Sequence, residues 1–264
     1  MDATKYEVLD SVAVLSFTNP PAELYTQEFL SDVAKRVEQA KRDEVRAMVI
    51  WSDGGLFSGG VDLHEFKGKS QREAAAMLAE GFELINGIED ATFPVIAAVN
   101  GQVLAAGLEL ALACDMIIAS DDAVFSQVGA LIGATTFLGG AYRIAERCGP
   151  ARAREIVYTA GRYPAETFER WNIINRVVPL ADLRDEAMKL AREFAAGPAL
   201  AHEMTKRLIK HSSTYGIRAA DQYNVENATY LFESADMQKA VNFMLTEGPR
   251  RFIQNHDEII FEGR

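Results

Sequence analysis

The chain has 264 residues, of which 48% are hydrophobic and 25% charged, and its formal net charge at pH 7 is -11. Such a length and composition are ordinary for a globular protein with a substantial core. The acidic balance argues against nucleic acid as the main partner, because a phosphate backbone requires a basic face. A small anionic ligand stays compatible with this charge, since a few local Lys and Arg side chains can hold it.

The N-terminus and the cysteines bear on where the protein works. The first ten residues, MDATKYEVLD, are polar and lack the charged-then-apolar order of a signal peptide. The best candidate for a membrane span, residues 93–115, is interrupted by Asn100-Gly101 and Glu109, so we expect no membrane span and no membrane partner. The two cysteines, Cys114 and Cys148, are expected to be free thiols of a cytoplasmic protein.

The first part of the chain follows an α/β pattern. Residues 6–18 predict two short strands hinged at Asp10-Ser11. Residues 26–42 carry apolar side chains at intervals of three and four, which predicts an amphipathic helix, and residues 45–51 predict a buried strand. This order of strand, helix and strand is typical of an α/β protein with a covered sheet.

A glycine-rich segment, SDGGLFSGGVDL at residues 52–63, follows that strand directly. Its four glycines allow positive φ angles and a close approach of the backbone to a ligand, so the segment can aim bare N–H groups at an oxyanion. It lacks the residue order of a phosphate loop and of a dinucleotide site. A plain turn between a strand and a helix is the alternative interpretation.

The rest of the chain is organised around residues 93–115, FPVIAAVNGQVLAAGLELALACD. The first half predicts a strand buried on both faces, Asn100-Gly101 predicts a turn, and the second half has helical period. Glu109 lies near the start of that helix. A buried carboxylate costs several kcal/mol unless it is paired, so Glu109 requires either a buried partner or a chemical role. The alternative is a helix-start Glu that is favoured by the macrodipole or faces solvent.

After Gly197-Pro198 the sequence carries helical patterns and no convincing strand. This change predicts a core at residues 1–198 and a helical piece at residues 199–264. That second piece carries more apolar residues than so short a tail can bury by itself, so we expect it to pack on the core or on another subunit. The further predicted helices are residues 71–88, 141–148, 151–159, 165–170 and 182–195, and the further predicted strands are residues 116–119, 123–125 and 173–178.

Three segments together resemble one family. They are FSGGVDL at residues 57–63, PVIAAVNGQVLAAGLELALACD at residues 94–115, and the Gly-Gly pair that closes residues 125–140. These segments are similar to the enoyl-CoA hydratase/isomerase family, which has the crotonase fold, and RAMVI, GPARARE and NIINRVVP extend the resemblance over most of the chain. The resemblance implies an α/β core built as a spiral of strand-strand-helix repeats. It also implies a helical C-terminal region for oligomerisation or as a lid, and a homotrimer or a dimer of trimers.

The same resemblance implies a site for a coenzyme A thioester and an enolate-like intermediate. In the family two backbone N–H groups hold the thioester oxygen, and by motif these are the amides of Gly59 and Ala106. Glu109 matches the first of two catalytic glutamates and is the implied acid/base. Neither a permanently bound cofactor nor a metal is implied, since coenzyme A is part of the substrate. The implied substrate-binding residues are Val61, Asp62, Leu63, Gly129, Leu131 and Phe137.

One departure from the family lies in FSQVG, residues 125–129, where the second catalytic glutamate is replaced by Gly129. The Pro-Gly pair expected a few residues later is replaced by Thr136-Phe137. Simple hydration is therefore in doubt, because a water would be held by one carboxylate only. Candidates for supplying the second proton are His64, Tyr142 and Asp62. Candidates for binding the CoA phosphates, by position only, are Lys67, Lys69, Lys206, Arg207 and Lys210.

Three functional hypotheses follow. The first is an acyl-CoA-processing lyase or isomerase that stabilises a thioester enolate, with Glu109 as acid/base. The second is a non-catalytic acyl-CoA-binding protein, which the loss of the second glutamate favours. The third is an enzyme of the same fold that hydrolyses a carbon-carbon bond of a cyclic diketone without CoA. The expected pocket walls are apolar and fit a hydrophobic acyl chain or ring; they are Leu131, Ile132, Phe137 and Leu138.

Overall fold

The computed structural model describes residues 3–255 and 258–263. Strands of this part of the chain form one six-stranded sheet, one three-stranded sheet and one two-stranded sheet. In chain order the strands are β1 (Thr4–Leu9), β2 (Val12–Phe17), β3 (Leu24–Tyr25), β4 (Ala47–Ser52), β5 (Gly60–Val61), β6 (Val95–Val99), β7 (Gln102–Leu104), β8 (Met116–Ser120), β9 (Val124–Ser126), β10 (Tyr163–Pro164) and β11 (Arg176–Val178).

The large sheet has the order β1-β2-β4-β6-β8-β11. Strands β1 and β2 pair antiparallel through a tight turn at Asp10 and Ser11, whose φ angles are 51° and 62°. The other neighbouring pairs are parallel. Every residue of β2, β4 and β6 is buried. This burial explains why these strands are nearly all apolar in the sequence, because a strand covered on both faces has no polar side.

Helices cover both faces of the large sheet. Apolar side chains of α1, α2 and α3 pack on one face, and those of α7 pack on the other. Helix α1 begins at the cap Thr26, whose hydroxyl accepts from the Phe29 N–H. In chain order the helices are α1 (Gln27–Arg42), α2 (Gln71–Glu89), α3 (Ala106–Ala113), α4 (Gly140–Cys148), α5 (Pro150–Thr159), α6 (Ala165–Arg170), α7 (Leu183–Ala196), α8 (Ala199–Tyr215), α9 (Ile217–Asn227) and α10 (Ala235–Gln254).

The mixed α/β class and the helical C-terminal region are confirmed, and the differences lie in the short strands. The sequence predicts one strand over residues 173–178, but only Arg176–Val178 pair with β8. Strands β3, β5, β7 and β10 were not predicted. They have two or three residues each, which is too short for a period of two to appear in the sequence.

Two of these short pairings place the chemistry-bearing segments side by side. Strand β3 pairs parallel with β5, and β7 pairs parallel with β9. Ser58 forms an isolated parallel bridge to Val103 of β7. The glycine-rich loop therefore lies between β3 and β7, next to the first turn of α3.

The C-terminal part of the chain is mainly helical between Ala199 and Gln254, where α8, α9 and α10 follow one another. Lys206 of α8 ties it to the core, since its ammonium donates to the carbonyls of Ile88 and Phe93 and pairs with the Asp115 carboxylate at 2.7 Å. The division at residue 198 and the oligomerisation or lid role of residues 199–264 stay predictions, and residues 1, 2, 256, 257 and 264 of those ranges lie outside the described residues. In the described part of the chain, no helix combines the length and the apolar character that a membrane span requires.

Candidate active site

The glycine-rich loop is fixed by hydrogen bonds on both sides. The Ser58 N–H donates to the Gln102 carbonyl at 3.1 Å, and the Leu104 N–H donates to the Ser58 carbonyl at 2.9 Å. The buried Ser58 hydroxyl donates to the Glu23 carbonyl at 2.9 Å. Helix α3 packs so closely on this loop that a Cβ at Gly107 would lie 2.6 Å from the Ser58 Cβ. Glycine at position 107 is thus required for the approach of α3 to the loop.

The prediction that Gly59 supplies an oxyanion donor is wrong. Its N–H already donates to the Ala22 carbonyl at 2.8 Å. The N–H group of Val61, two residues later, points in another direction. Val61 pairs with Tyr25, and it is the next N–H, that of Asp62, that donates to the Tyr25 carbonyl at 3.0 Å. Because alternate residues of a parallel ladder direct their N–H groups toward the partner strand, the Val61 N–H points away from β3.

The first turn of α3 supplies another set of donors. Ala105 precedes the helix with the unusual angles φ 45° and ψ −116°, and its own N–H donates to the Ser126 carbonyl at 3.0 Å. The N–H groups of a first turn have no carbonyl acceptor within their helix, and the helix dipole places partial positive charge there. Ala106 is the first residue of α3, so its amide can donate to an oxygen in front of the helix.

Glu109 is buried rather than solvent-facing. Only 2% of the residue is exposed. Its Oε2 accepts from the Leu138 N–H at 2.7 Å and its Oε1 accepts from the Gly140 N–H at 3.3 Å. Burial raises the pKa of Glu109 to about 7, against the two amide hydrogen bonds and Arg143, which lower it. Both protonation states are therefore accessible near neutral pH, as an acid/base requires.

Gln127 is a site residue that the sequence analysis missed. It is buried, and its Nε2 donates to the Ala105 carbonyl at 3.4 Å. A Cβ at Gly140 would lie 2.6 Å from this Nε2 and 2.9 Å from Oε1 of Glu109, so the two side chains are neighbours. Gln127 thus contacts the peptide group that carries the Ala106 N–H. The available signal was an amide side chain directly after a short, mostly apolar strand.

One cavity of about 980 Å³ brings these groups together. Its rim is apolar and open: Leu131 is 73% exposed, and the Phe66 and Phe137 rings meet edge to face with centroids 5.8 Å apart. An adjoining cleft of about 450 Å³ shares several of these residues and is also lined by Lys67 and Lys69. Every site residue named from the sequence lines the large cavity: Gly59, Val61, Asp62, Leu63, Ala106, Glu109, Gly129, Leu131 and Phe137.

The other candidates divide by location. His64 lines the cavity with Asp62, and its Nδ1 lies 2.7 Å from the Asp62 carboxylate. Tyr142 is exposed on α4 and is not among the residues that line the cavity. The three basic candidates of α8 line a separate cleft next to Glu89 and Asp90, and are not placed at the cavity; they are Lys206, Arg207 and Lys210.

The loop around Gly129 is packed closely, so a larger side chain at this position would require the loop to shift. A Cβ at position 129 would lie 3.1 Å from the Thr135 carbonyl oxygen and 3.3 Å from that of Ala134. The Ala134 N–H also donates to the Gly129 carbonyl at 2.9 Å, which holds the loop against this position. Among the described residues no cluster of His, Cys, Asp and Glu has the arrangement of a metal site.

Comparison with known proteins decides the family. The family model described as enoyl-CoA hydratase/isomerase matches residues 7–257. The chain belongs to the enoyl-CoA hydratase/isomerase family. A relative from Bacillus subtilis, described as a probable enoyl-CoA hydratase, is 28% identical over 96% of this chain and 99% of its own. The carnitinyl-CoA dehydratase of Salmonella enteritidis is 32% identical over 84% of this chain and 83% of its own.

A solved structure of this family confirms the fold. Enoyl-CoA hydratase subunit I of Geobacillus kaustophilus superposes with a TM-score of 0.91 at 27% identity, and the match covers 99% of this chain and 98% of that one. The crotonase-like architecture that the sequence motifs implied is thereby confirmed.

Proposed function

We propose that this chain is an acyl-CoA-processing enzyme that stabilises a thioester enolate with the amides of Val61 and Ala106 and moves a proton with Glu109. The observation that carries the proposal is the shared cavity: a buried carboxylate with a pKa of about 7 and the donor end of α3 line the same space. Membership of the family and the names of its relatives support a CoA thioester as the substrate.

The chemistry follows from charge development. When a proton leaves the α carbon of a thioester, negative charge moves to the carbonyl oxygen. The N–H groups of Val61 and Ala106 stabilise that charge, and one such donor contributes about 3 to 4 kcal/mol in comparable sites. Glu109 takes or returns the proton. With Gly129 in place of the second carboxylate, proton transfer at a single carbon is the step for which this site is best equipped.

The acyl group and the CoA phosphates of the proposed substrate each find suitable side chains around the cavity. The walls near Leu131, Ile132 and Phe137 are apolar and suit a hydrophobic acyl group. Lys67 and Lys69 line the adjoining cleft and are the proposed contacts of the CoA phosphates. Coenzyme A thus enters and leaves with the substrate. We further propose a cytoplasmic homotrimer or dimer of trimers, in which the exposed apolar side chains of α8–α10, such as Ile217 and Leu245, are covered.

The test is proton exchange at the α carbon. The protein is incubated in D2O with a panel of acyl-CoA and enoyl-CoA esters, and deuterium in the recovered ester is measured by mass spectrometry. A thermal-shift screen with the same esters identifies those that bind. We expect exchange with at least one ester that binds; binding without exchange across the panel would contradict the proposed enzyme.

A non-catalytic acyl-CoA-binding protein is the second candidate, and Gly129 is the observation that favours it. This candidate predicts ester binding that is indifferent to Glu109→Gln and no exchange with any ester. A carbon-carbon bond hydrolase of the same fold would instead act on a free cyclic diketone, and turnover confined to thioesters would exclude it.

Restoring the family's carboxylate by Gly129→Glu is expected to leave hydration of crotonyl-CoA at or below the wild-type rate. The new Cβ meets the Thr135 carbonyl oxygen at 3.1 Å, so the loop must shift before the longer side chain is accommodated. Loss of the conjugated thioester absorbance measures hydration. Gly129→Ala, which adds the same Cβ without charge, is the matched control. A rate increase in the Glu variant alone would show that the missing carboxylate, and not the loop, limits hydration.

A further inference from the structure

Arg143 lies in the first turn of α4 with its side chain 10% exposed. Its Nη1 donates to the carbonyl oxygens of Leu138 and Gly139 at 3.1 and 3.5 Å. Its Nε donates to the Glu89 carboxylate on α2 at 2.6 Å. The guanidinium is therefore held by an acidic partner and directed at the turn that precedes its own helix.

That turn, residues 138–140, is the one that binds the acid/base. The Leu138 and Gly140 N–H groups donate to the two carboxylate oxygens of Glu109. Leu138 is thus held from both ends, with its N–H on Glu109 and its carbonyl on Arg143. Gly139 makes this possible: its φ is 90°, and a Cβ there would lie 2.1 Å from Nη1 of Arg143.

We propose that Arg143 is the positioning residue of Glu109: anchored by Glu89, it fixes the turn whose amides bind the carboxylate. This inference rests on the proposed function, in which Glu109 handles the substrate proton. Arg143 acts through the turn. The residue does not line the cavity and is assigned no contact with substrate.

The charge of Arg143 also acts on Glu109, in addition to its contacts with the turn. Several charged side chains lie on the elements that pack against α3, namely Arg143, Glu146 and Arg147 on α4, Arg72, Glu73, Glu80, Glu83 and Glu89 on α2, and Asp62 after β5. Arg143 is the one among them that lowers the pKa of Glu109, against the rise caused by burial. Removing its charge therefore raises that pKa further, and a smaller fraction of Glu109 is ionised at pH 7.

The chain offers a matched control on the same helix. Arg147 also donates to backbone carbonyls, namely those of Leu112, Cys114 and Ile173 at 2.9 to 3.1 Å. None of these carbonyls belongs to residues 138–140. Arg147→Gln therefore removes a guanidinium that, like that of Arg143, donates to backbone carbonyls, and it leaves the turn at residues 138–140 in place.

The experiment compares Arg143→Gln, Arg143→Lys and Arg147→Gln by two readouts. The first is the pH profile of α-proton exchange. We expect Arg143→Gln to move the acid limb upward by roughly one pH unit and to lower kcat at pH 7 about ten-fold with little change in KM. Arg143→Lys restores the charge but not the fork of donors, so it should recover most of the pH shift and less of kcat. Arg147→Gln should keep the wild-type midpoint even where its Tm falls.

The second readout is independent of activity. The Glu109 carboxyl is titrated by 13C NMR in protein labelled at the glutamate carboxyl carbon, with Glu109→Gln to assign the signal. An upward shift in Arg143→Gln supports the inference even where no ester is turned over, and in that case only the proposed function fails. A midpoint that is the same in wild type, Arg143→Gln and Arg147→Gln would overturn the inference. Should Arg143→Gln fail to fold, Arg143→Lys keeps the charge but loses the fork of donors, so it must still lower kcat with little change in KM; an unchanged kcat in that variant would overturn the inference.

Discussion

Glu109→Gln is expected to lower the rate of α-proton exchange by about 10³-fold, within the range that general acid-base catalysis contributes. The amide keeps the size of the carboxyl group but cannot take a proton from the α carbon. Affinity for the ester should change little, because the donors of Val61 and Ala106 and the apolar walls stay in place. Deuterium incorporation gives the rate, and the thermal shift with the same ester gives the binding.

The matched control is Glu83→Gln. Glu83 also lines the cavity, but it is exposed on α2 and is not assigned a proton to move. A loss of exchange in the Glu83 variant equal to that in the Glu109 variant would mean that charge in the cavity, rather than a positioned base, controls the rate.

The pH dependence has a definite sign. Burial raises the pKa of Glu109 to about 7. A base must be ionised to abstract the α proton, so the exchange rate of a saturated acyl-CoA should rise with pH through about 7 and level off above it. An ordinary, solvated glutamate would place this rise near pH 4. A profile that is flat between pH 5 and 8 would contradict a role for Glu109 as the base.

The large elements of the fold could be predicted because their signals are local. The apolar runs of β2, β4 and β6 indicate strands covered on both faces, and the intervals of four between Phe29, Val33 and Val37 indicate the buried side of α1. The direction of a single N–H group carries no such signal. Gly59 was misassigned because its amide is committed to the Ala22 carbonyl. That pairing depends on β3 and β5, which the sequence does not reveal.

Whether Glu109 is buried, and which groups bind its carboxylate, could not be decided from the sequence either. Its partners are backbone amides that lie 29 and 31 residues further along the chain. A backbone N–H has no residue type, so no motif marks it. What the pattern did indicate was the requirement: a carboxylate in an apolar helix needs a buried partner or a role. The structure supplies the partner at residues 138–140, and the proposed function supplies the role.

Gly140→Ala is expected to lower kcat about 10²-fold with little change in KM. A Cβ at this position would lie 2.6 Å from Nε2 of Gln127, 2.9 Å from Oε1 of Glu109 and 3.0 Å from its Cγ, and the first two distances are closer than a Cβ approaches such atoms. The carboxylate must therefore move, and a displacement of about 1 Å at a reacting group can cost this factor. Helix α4 itself accepts alanine well, since alanine has the highest helix propensity. The effect should thus fall on the chemistry rather than on folding.

Gly87→Ala is the matched control for this substitution. It adds the same methyl group to a helix, α2, at a position where no described atom lies within 4 Å of the new Cβ. We expect wild-type kcat and a gain in stability of about 0.5 to 1 kcal/mol, measured by urea unfolding. If Gly140→Ala also kept the wild-type kcat, the carboxylate position in the structure would not be the one that acts on the substrate. If Gly140→Ala caused no further loss of activity in the Glu109→Gln background, both changes would act on the same group.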